Sequence, residues 1–236
     1  MYADAVHDAE GSDSLFDEPQ IAMRTAPPIP GLFVPPIRLP LELANDIVRE
    51  CMSLYFDGRD VNQIMLFGRT VSEHSQNMES GLPTFLNTLL QWLAEMLRDH
   101  LPKKVHEMLF PPKDAPQRAR QAILNLYRPG EGISPHIDLL RRFDDGIIGY
   151  QEEELFGGAG PLDRNHWDLY LEERSILVLS EDARYDWTHG IDGKQEDFVS
   201  GVDGQGEPEW IERGTRLSIT FRWLLPGADI VGGPEP

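Results

Sequence analysis

Seven polar residues stand in a fixed order along the chain: Asn125-x-Tyr127, His136-x-Asp138, His189, and Arg216 with Arg222. Two imidazoles and one carboxylate can hold Fe(II) on one face and leave positions open for a co-substrate and oxygen. A guanidinium grips a carboxylate as a planar fork, so the two arginines suit a dicarboxylate beside that metal. The combination is what an oxidation using iron, 2-oxoglutarate and oxygen requires.

Spacing decides which of these groups can converge. His136 and Asp138 are two apart, so on a strand they share a face. His189 lies in the strand-like run Tyr185-Asp-Trp-Thr-His-Gly-Ile191 and can add a third ligand from a neighbouring strand. Asn125 and Tyr127 share one face, with Leu124 and Leu126 on the other. Leu217, Ile219, Phe221 and Trp223 alternate with Arg216, Ser218, Thr220 and Arg222. One face of that strand can pack against helices while the other sends two arginines and two hydroxyls inward. Inward arginines need anionic partners, because an unpaired buried charge is costly. The His-x-Asp spacing alone is weak, since His166-Trp167-Asp168 repeats it. No Asn-x-Tyr precedes that copy at the matching distance, and it falls in an irregular stretch. Structural roles are expected there, and for His7, His74, His100 and His106.

The elements that must position these groups follow from patterning. Leu43, Ile47, Val48, Cys51 and Leu54/Tyr55 fall at helical spacing after Pro40, a good first-turn residue. Residues 62–68 read as a short strand ending at glycine. A second helix is predicted over about 84–100, with Phe85, Leu86, Leu89, Leu93, Met96 and Leu97 on its apolar side. Residues 110–118 form a proline-rich loop. Strands are predicted over 121–128, 133–139, 174–180, 185–191 and 215–224. Residues 192–213 read as a solvated insertion. Helices followed by short strands indicate an α+β domain.

The 236 residues carry 40 acidic against 21 basic groups, a formal net charge of −19. Such a surface repels phosphate backbones and argues against broad non-specific nucleic-acid binding. The single Cys51 excludes an intrachain disulfide and favours a reducing compartment. No apolar run approaches a membrane span. The N-terminus lacks the charged and apolar regions of a signal peptide. An intracellular location, cytoplasmic or nuclear, is expected. Residues 1–26 hold six acidic residues before Arg24 is met as their lone basic group, and are expected to form a disordered acidic tail. The domain is expected to span 27–236, with its catalytic core at about 120–224.

On the segments Leu124-Asn-Leu-Tyr-Arg-Pro-Gly130, Ile133-Ser-Pro-His-Ile-Asp138, Ala183-Arg-Tyr-Asp-Trp-Thr-His-Gly-Ile191 and Arg216-Leu-Ser-Ile-Thr-Phe-Arg222, the sequence resembles the AlkB-like Fe(II)- and 2-oxoglutarate-dependent dioxygenases. The resemblance implies a double-stranded β-helix (jelly-roll) core buttressed by N-terminal helices. It implies iron on His136, Asp138 and His189. It implies that Arg216 and Tyr127 hold the distal carboxylate of 2-oxoglutarate, with Asn125 and Arg222 near its iron-bound end. The implied reaction hydroxylates a C–H bond, and hydroxylation of an N-methyl group ends in demethylation. One stretch departs from the family pattern: Tyr150-Gln-Glu-Glu-Glu-Leu-Phe-Gly-Gly-Ala-Gly160-Pro-Leu. Its glutamates and glycines make a poor core strand, so a pocket strand is expected to be missing.

Substrate-holding elements are expected within 55–80, with Tyr55, Phe56, Gln63, Phe67 and Arg69 as candidates against the plainer reading that the aromatics pack the core. A nucleic-acid substrate would have to be single-stranded or flipped. A methylated protein side chain would need no flipping and would tolerate the acidic surface better, so a protein substrate is expected on equal terms with a nucleic acid. Two rival readings are a catalytically weakened AlkB-like binding module and a jelly-roll metalloprotein that needs no 2-oxoglutarate.

Overall fold

A computed structural model describes residues 19–68, 81–112, 114–115, 118–152, 156–159, 166–202 and 206–228. Its helices are α1 (Leu41–Cys51), α2 (Thr84–Met96), α3 (Lys103–Leu109) and α4 (Glu181–Tyr185). The first three each begin directly after a proline, Pro40, Pro83 and Pro102. Proline fixes φ and has no N–H to leave unsatisfied at a helix start. One π-helical turn, Met52–Phe56, extends α1.

The strands are β1 (Leu32–Phe33), β2 (Gln63–Gly68), β3 (Arg120–Tyr127), β4 (Ile133–His136), β5 (Phe143–Glu152), β6 (Phe156–Ala159), β7 (His166–Leu169), β8 (Ser175–Leu179), β9 (Thr188–Ile191), β10 (Glu196–Val199), β11 (Glu209–Glu212) and β12 (Arg216–Leu224). Six form a major sheet in the order β1-β8-β5-β12-β3-β2, and four form a minor sheet in the order β4-β9-β6-β7. Every neighbouring pair in both sheets is antiparallel. This is the expected jelly-roll architecture.

Helices α1, α2 and α3 cover the outer face of the major sheet. Leu86, Leu89, Leu93 and Leu97 pack with Ile47, Leu124, Tyr150, Ile176, Ile219 and Phe221 in one core. Each fully buried leucine contributes about 1.5–3 kcal/mol relative to an exposed one. The α2 stripe includes Leu90 and leaves Met96 exposed, one step round from the predicted face. The alternation on β12 divides as its pattern requires. Leu217, Ile219 and Phe221 join the helix-facing core, and Arg216, Ser218, Thr220 and Arg222 face the interior between the sheets.

Three expectations about the strands need correction. The pocket strand is not missing: β5 runs through the abnormal stretch as far as Glu152, with Tyr150 opposite Ile219 and Gln151 opposite Ser218. Ladder bonds belong to the backbone, so the acidic composition does not forbid them. After residues 153–155, which lie outside the described residues, β6 pairs with both β7 and β9. His166 and Asp168 lie on the regular strand β7 rather than in irregular chain. The predicted strand over 185–191 begins only at Thr188, because residues 181–185 form α4.

The insertion at 192–213 contains the hairpin β10–β11. One face of it is buried: Arg213 grips Asp197 through two 2.6 Å bonds, and Val199 is sequestered. Ala22 and Met23, at the end of the expected tail, bridge to Val199 and Leu169. Arg24 holds this segment with bonds to Ser200 O, Glu172 and Glu209. Residues 1–18 lie outside the described residues.

Candidate active site

All seven residues singled out by spacing line one cavity of about 400 Å³ between the two sheets. The minor sheet contributes the histidines. His136 on β4 lies directly opposite His189 on β9, and their ring centroids are 4.5 Å apart. That approach depends on Gly190, where a Cβ would come within 2.8 Å of Ile133 O and of Pro135 N. Asp138 follows β4 by two residues and is buried. Its Oδ2 lies 3.7 Å from His189 Nε2.

His136 Nδ1–H donates to Ser134 O at 2.9 Å. A carbonyl can only accept, so this bond puts the proton on Nδ1 and leaves the Nε2 lone pair available. Burial, with His136 and Arg184 nearby, holds the His189 pKa down to about 3. His189 is therefore neutral at physiological pH, the state a metal needs.

The major sheet contributes the other four residues. Asn125 on β3 lies opposite Ser218 of β12, and Tyr127 opposite Arg216. Arg216 hydrogen-bonds Gln151 Oε1, and its guanidinium lies 5.3 Å from the Tyr127 ring centroid. Burial raises the Tyr127 pKa, with Arg216 opposing it, so the phenol stays protonated and can donate. Arg222 bonds Gln121 Oε1 at 2.7 Å, stacks 3.6 Å from the Phe143 ring centroid and pairs with Asp138 Oδ1. Burial lowers its pKa to about 10, which leaves it cationic.

Among the described residues, no three His, Cys, Asp or Glu side chains are drawn together as a ready metal cage. Asp138 turns one oxygen to Arg222, so a guanidinium supplies the positive charge beside this carboxylate. The donor set, two imidazoles and one buried carboxylate, still fits Fe(II). Arg216, Tyr127, Asn125 and the Ser218 hydroxyl form a donor cradle that fits a carboxylate.

The second His-x-Asp is a local pair. His166 Nε2 and Asp168 Oδ1 are 2.7 Å apart, and Lys194 Nζ lies 3.9 Å from Asp168 Oδ2. Among the substrate candidates, Phe56 is buried and Tyr55 packs against the same core. Gln63 faces the cavity and bonds Asn125 Oδ1 at 2.8 Å. Phe67 is exposed, and Arg69 lies outside the described residues. Gln121, Gln151 and Arg184 are site residues that spacing did not single out. The signal for Gln151 was its place opposite Ser218, which only the strand register supplies.

The sequence model described as the 2OG-Fe(II) oxygenase superfamily matches residues 49–222. The chain therefore belongs to this superfamily, and its relatives make it an AlkB-like member. It is 33% identical over 134 residues to uncharacterized protein L905 of Acanthamoeba polyphaga mimivirus, covering 53% of this chain and 58% of that protein. It is 34% identical over 116 residues to the Xenopus tropicalis tRNA (carboxymethyluridine(34)-5-O)-methyltransferase alkbh8, covering 43% of this chain and 18% of that protein. It is 28% identical over 149 residues to the Danio rerio probable RNA/DNA demethylase ALKBH6, covering 55% and 64%. The chain thus spans less than two thirds of each of these relatives. No helix among the described residues is long and apolar enough to cross a membrane.

Proposed function

We propose that this chain is an Fe(II)- and 2-oxoglutarate-dependent dioxygenase that oxidatively demethylates a base in single-stranded or locally unpaired nucleic acid. The observation that carries this reading is the meeting of two donor sets in one cavity. The His136, Asp138 and His189 set lies on one wall, and the Asn125, Tyr127, Arg216 and Arg222 set on the other.

His136, Asp138 and His189 would hold the iron. Arg216 and Tyr127 would hold the distal carboxylate of 2-oxoglutarate, with Asn125 and Arg222 near its other end. When bound, iron with 2-oxoglutarate and oxygen supplies the power to hydroxylate a C–H bond. Gln151 orients the Arg216 fork. The protonated Tyr127 phenol adds a donor beside it. Ile147, Leu177 and Leu179 line the floor and exclude water, which strengthens every polar contact within.

The nucleic-acid part rests on the rim. Met65 and Leu139 line the cavity yet are 51% and 63% exposed. An apolar rim suits a planar base drawn out of its stack. The exposed Arg141 and Arg142 follow Leu139 and Leu140 directly and suit flanking phosphates. The tRNA and RNA/DNA named for two relatives support the same class.

The test is incubation with Fe(II), ascorbate, 2-oxoglutarate and oxygen, offering methylated single strands, duplexes and peptides in parallel. Succinate formation with loss of the methyl mass from the single strands is expected. Normal iron loading without succinate would favour the binding-module reading. Reaction of the peptides alone would move the substrate to protein.

A further inference from the structure

Arg184 is 1% exposed and is the largest fully buried side chain among the described residues. It lies on α4, five residues before His189. Its Nη1 donates to the backbone O of Asp138 at 3.1 Å, and its Nη2 to the backbone O of Phe143 at 3.3 Å. These carbonyls bound the loop that joins β4 to β5. The loop tip carries Leu139, Leu140, Arg141 and Arg142, all exposed. The Tyr185 ring centroid is 5.0 Å from the guanidinium, and Asp144 and Asp145 supply negative charge around it.

A buried cation bonded to carbonyls is rarely the most stable filling, because apolar residues of equal volume avoid its desolvation. What two donors on a rigid fork provide is position. The loop also closes on itself, with Arg142 and Phe143 N–H donating to Leu139 O, and Leu225 N–H donates to Arg142 O. Arg222 pairs with the Asp138 side chain. Among the described contacts, the Arg184 fork joins the Asp138 and Phe143 carbonyls at the two ends of this loop. Arg184 shares its element with the lead into β9, so one side chain ties the Asp138 arm of the site to the His189 arm.

We propose that Arg184 is a positioning residue: its fork fixes the 138–143 loop and thereby aims the Asp138 carboxylate at the site His136 and His189 share. This rests on the iron-site reading above. Residues that orient metal ligands typically change metal affinity 10–100-fold when lost.

The experiment compares the wild-type chain with Arg184→Met, Arg184→Lys and Leu93→Ala, the last a core truncation between α2 and the sheet. Mn(II) affinity is measured by electron paramagnetic resonance below the lowest melting temperature. Amide exchange across 139–142 is followed in metal-free protein. Arg184→Met should bind Mn(II) about 10–100-fold more weakly and exchange faster across the loop. Arg184→Lys should weaken binding less, since one ammonium cannot span both carbonyls. Leu93→Ala should melt earlier but bind and exchange as wild type. Wild-type affinity and exchange in Arg184→Met would overturn the inference, as would equal loss in Leu93→Ala. If Arg184→Met does not fold, wild-type affinity in Arg184→Lys overturns it. A wild-type chain that binds no Mn(II) counts against the iron reading itself, and loop exchange then decides the staple separately.

Discussion

Arg222 on the last strand pairs with Asp138, 84 residues earlier, inside the cavity that also holds both histidines. One carboxylate thus faces a guanidinium on one oxygen and His189 on the other. Removing one partner of a buried pair costs about 3–5 kcal/mol, because the remaining charge is left uncompensated. Arg222→Met should lower the stability of the metal-free protein by roughly that amount. Mn(II) should then raise the melting temperature more in the variant than in wild type, since the ion replaces the lost cation. Equal metal-induced shifts in both proteins would refute the shared role of Asp138.

His136→Ala or Asp138→Ala should abolish loading of Fe(II) or Mn(II), whereas His166→Ala should not. His166 is bonded to Asp168 on β7, outside the cavity lining. Metal analysis of the purified variants checks this. Full stoichiometry in the His136 variant would sink the assignment.

Arg216→Ala should weaken 2-oxoglutarate binding by about 2–5 kcal/mol, the usual cost of truncating a buried, hydrogen-bonded charge. Arg216→Lys should restore only part of it, since the planar fork is lost. Calorimetry with Mn(II) in place of iron gives the numbers without turnover.

Gly190→Ala places a Cβ within 2.8 Å of backbone atoms of β4. Backbone cannot yield as a side-chain tip can, so a loss of about 1–3 kcal/mol is expected, as for other overpacked sites. His136 should be pushed from His189, and Mn(II) affinity should fall with the melting temperature. A variant that melts and binds as wild type would show that β4 can shift freely.

Glu172 links the N-terminal segment to the body through Arg24 and Arg38. The Arg38 hydrogen bond leads in holding its pKa below the usual glutamate value. A carboxyl depressed in the folded state contributes stability that is full above its unfolded pKa and is lost as pH falls through the folded one. Amide exchange at residues 22–24 should therefore accelerate as pH drops below the ordinary glutamate range beyond the intrinsic trend, and Glu172→Gln should remove that acceleration. An unchanged profile in the variant would refute the link.

Much of this protein was legible in the chain itself. Alternation over Arg216–Trp223 divided β12 into a core face and a cavity face, because side chains on a strand have a period of two. The same rule put Asn125 with Tyr127, whereas β4 ends at His136 and Asp138 reaches His189 from the loop beyond the predicted strand. What alternation cannot supply is the partner of each strand. Ladder bonds come from the backbone, so the Gln151 strand, the glycine-rich β6 and the β10–β11 hairpin form despite side chains that read as loop. Registers set by the whole sheet put Gln151 against Ser218 and His136 against His189. Likewise, nothing local in Ala183-Arg-Tyr says that the guanidinium turns inward to two carbonyls more than forty residues away. Local sequence selects the face a residue occupies, while long-range packing selects what that face meets, because contacts across a sheet depend on every strand between them.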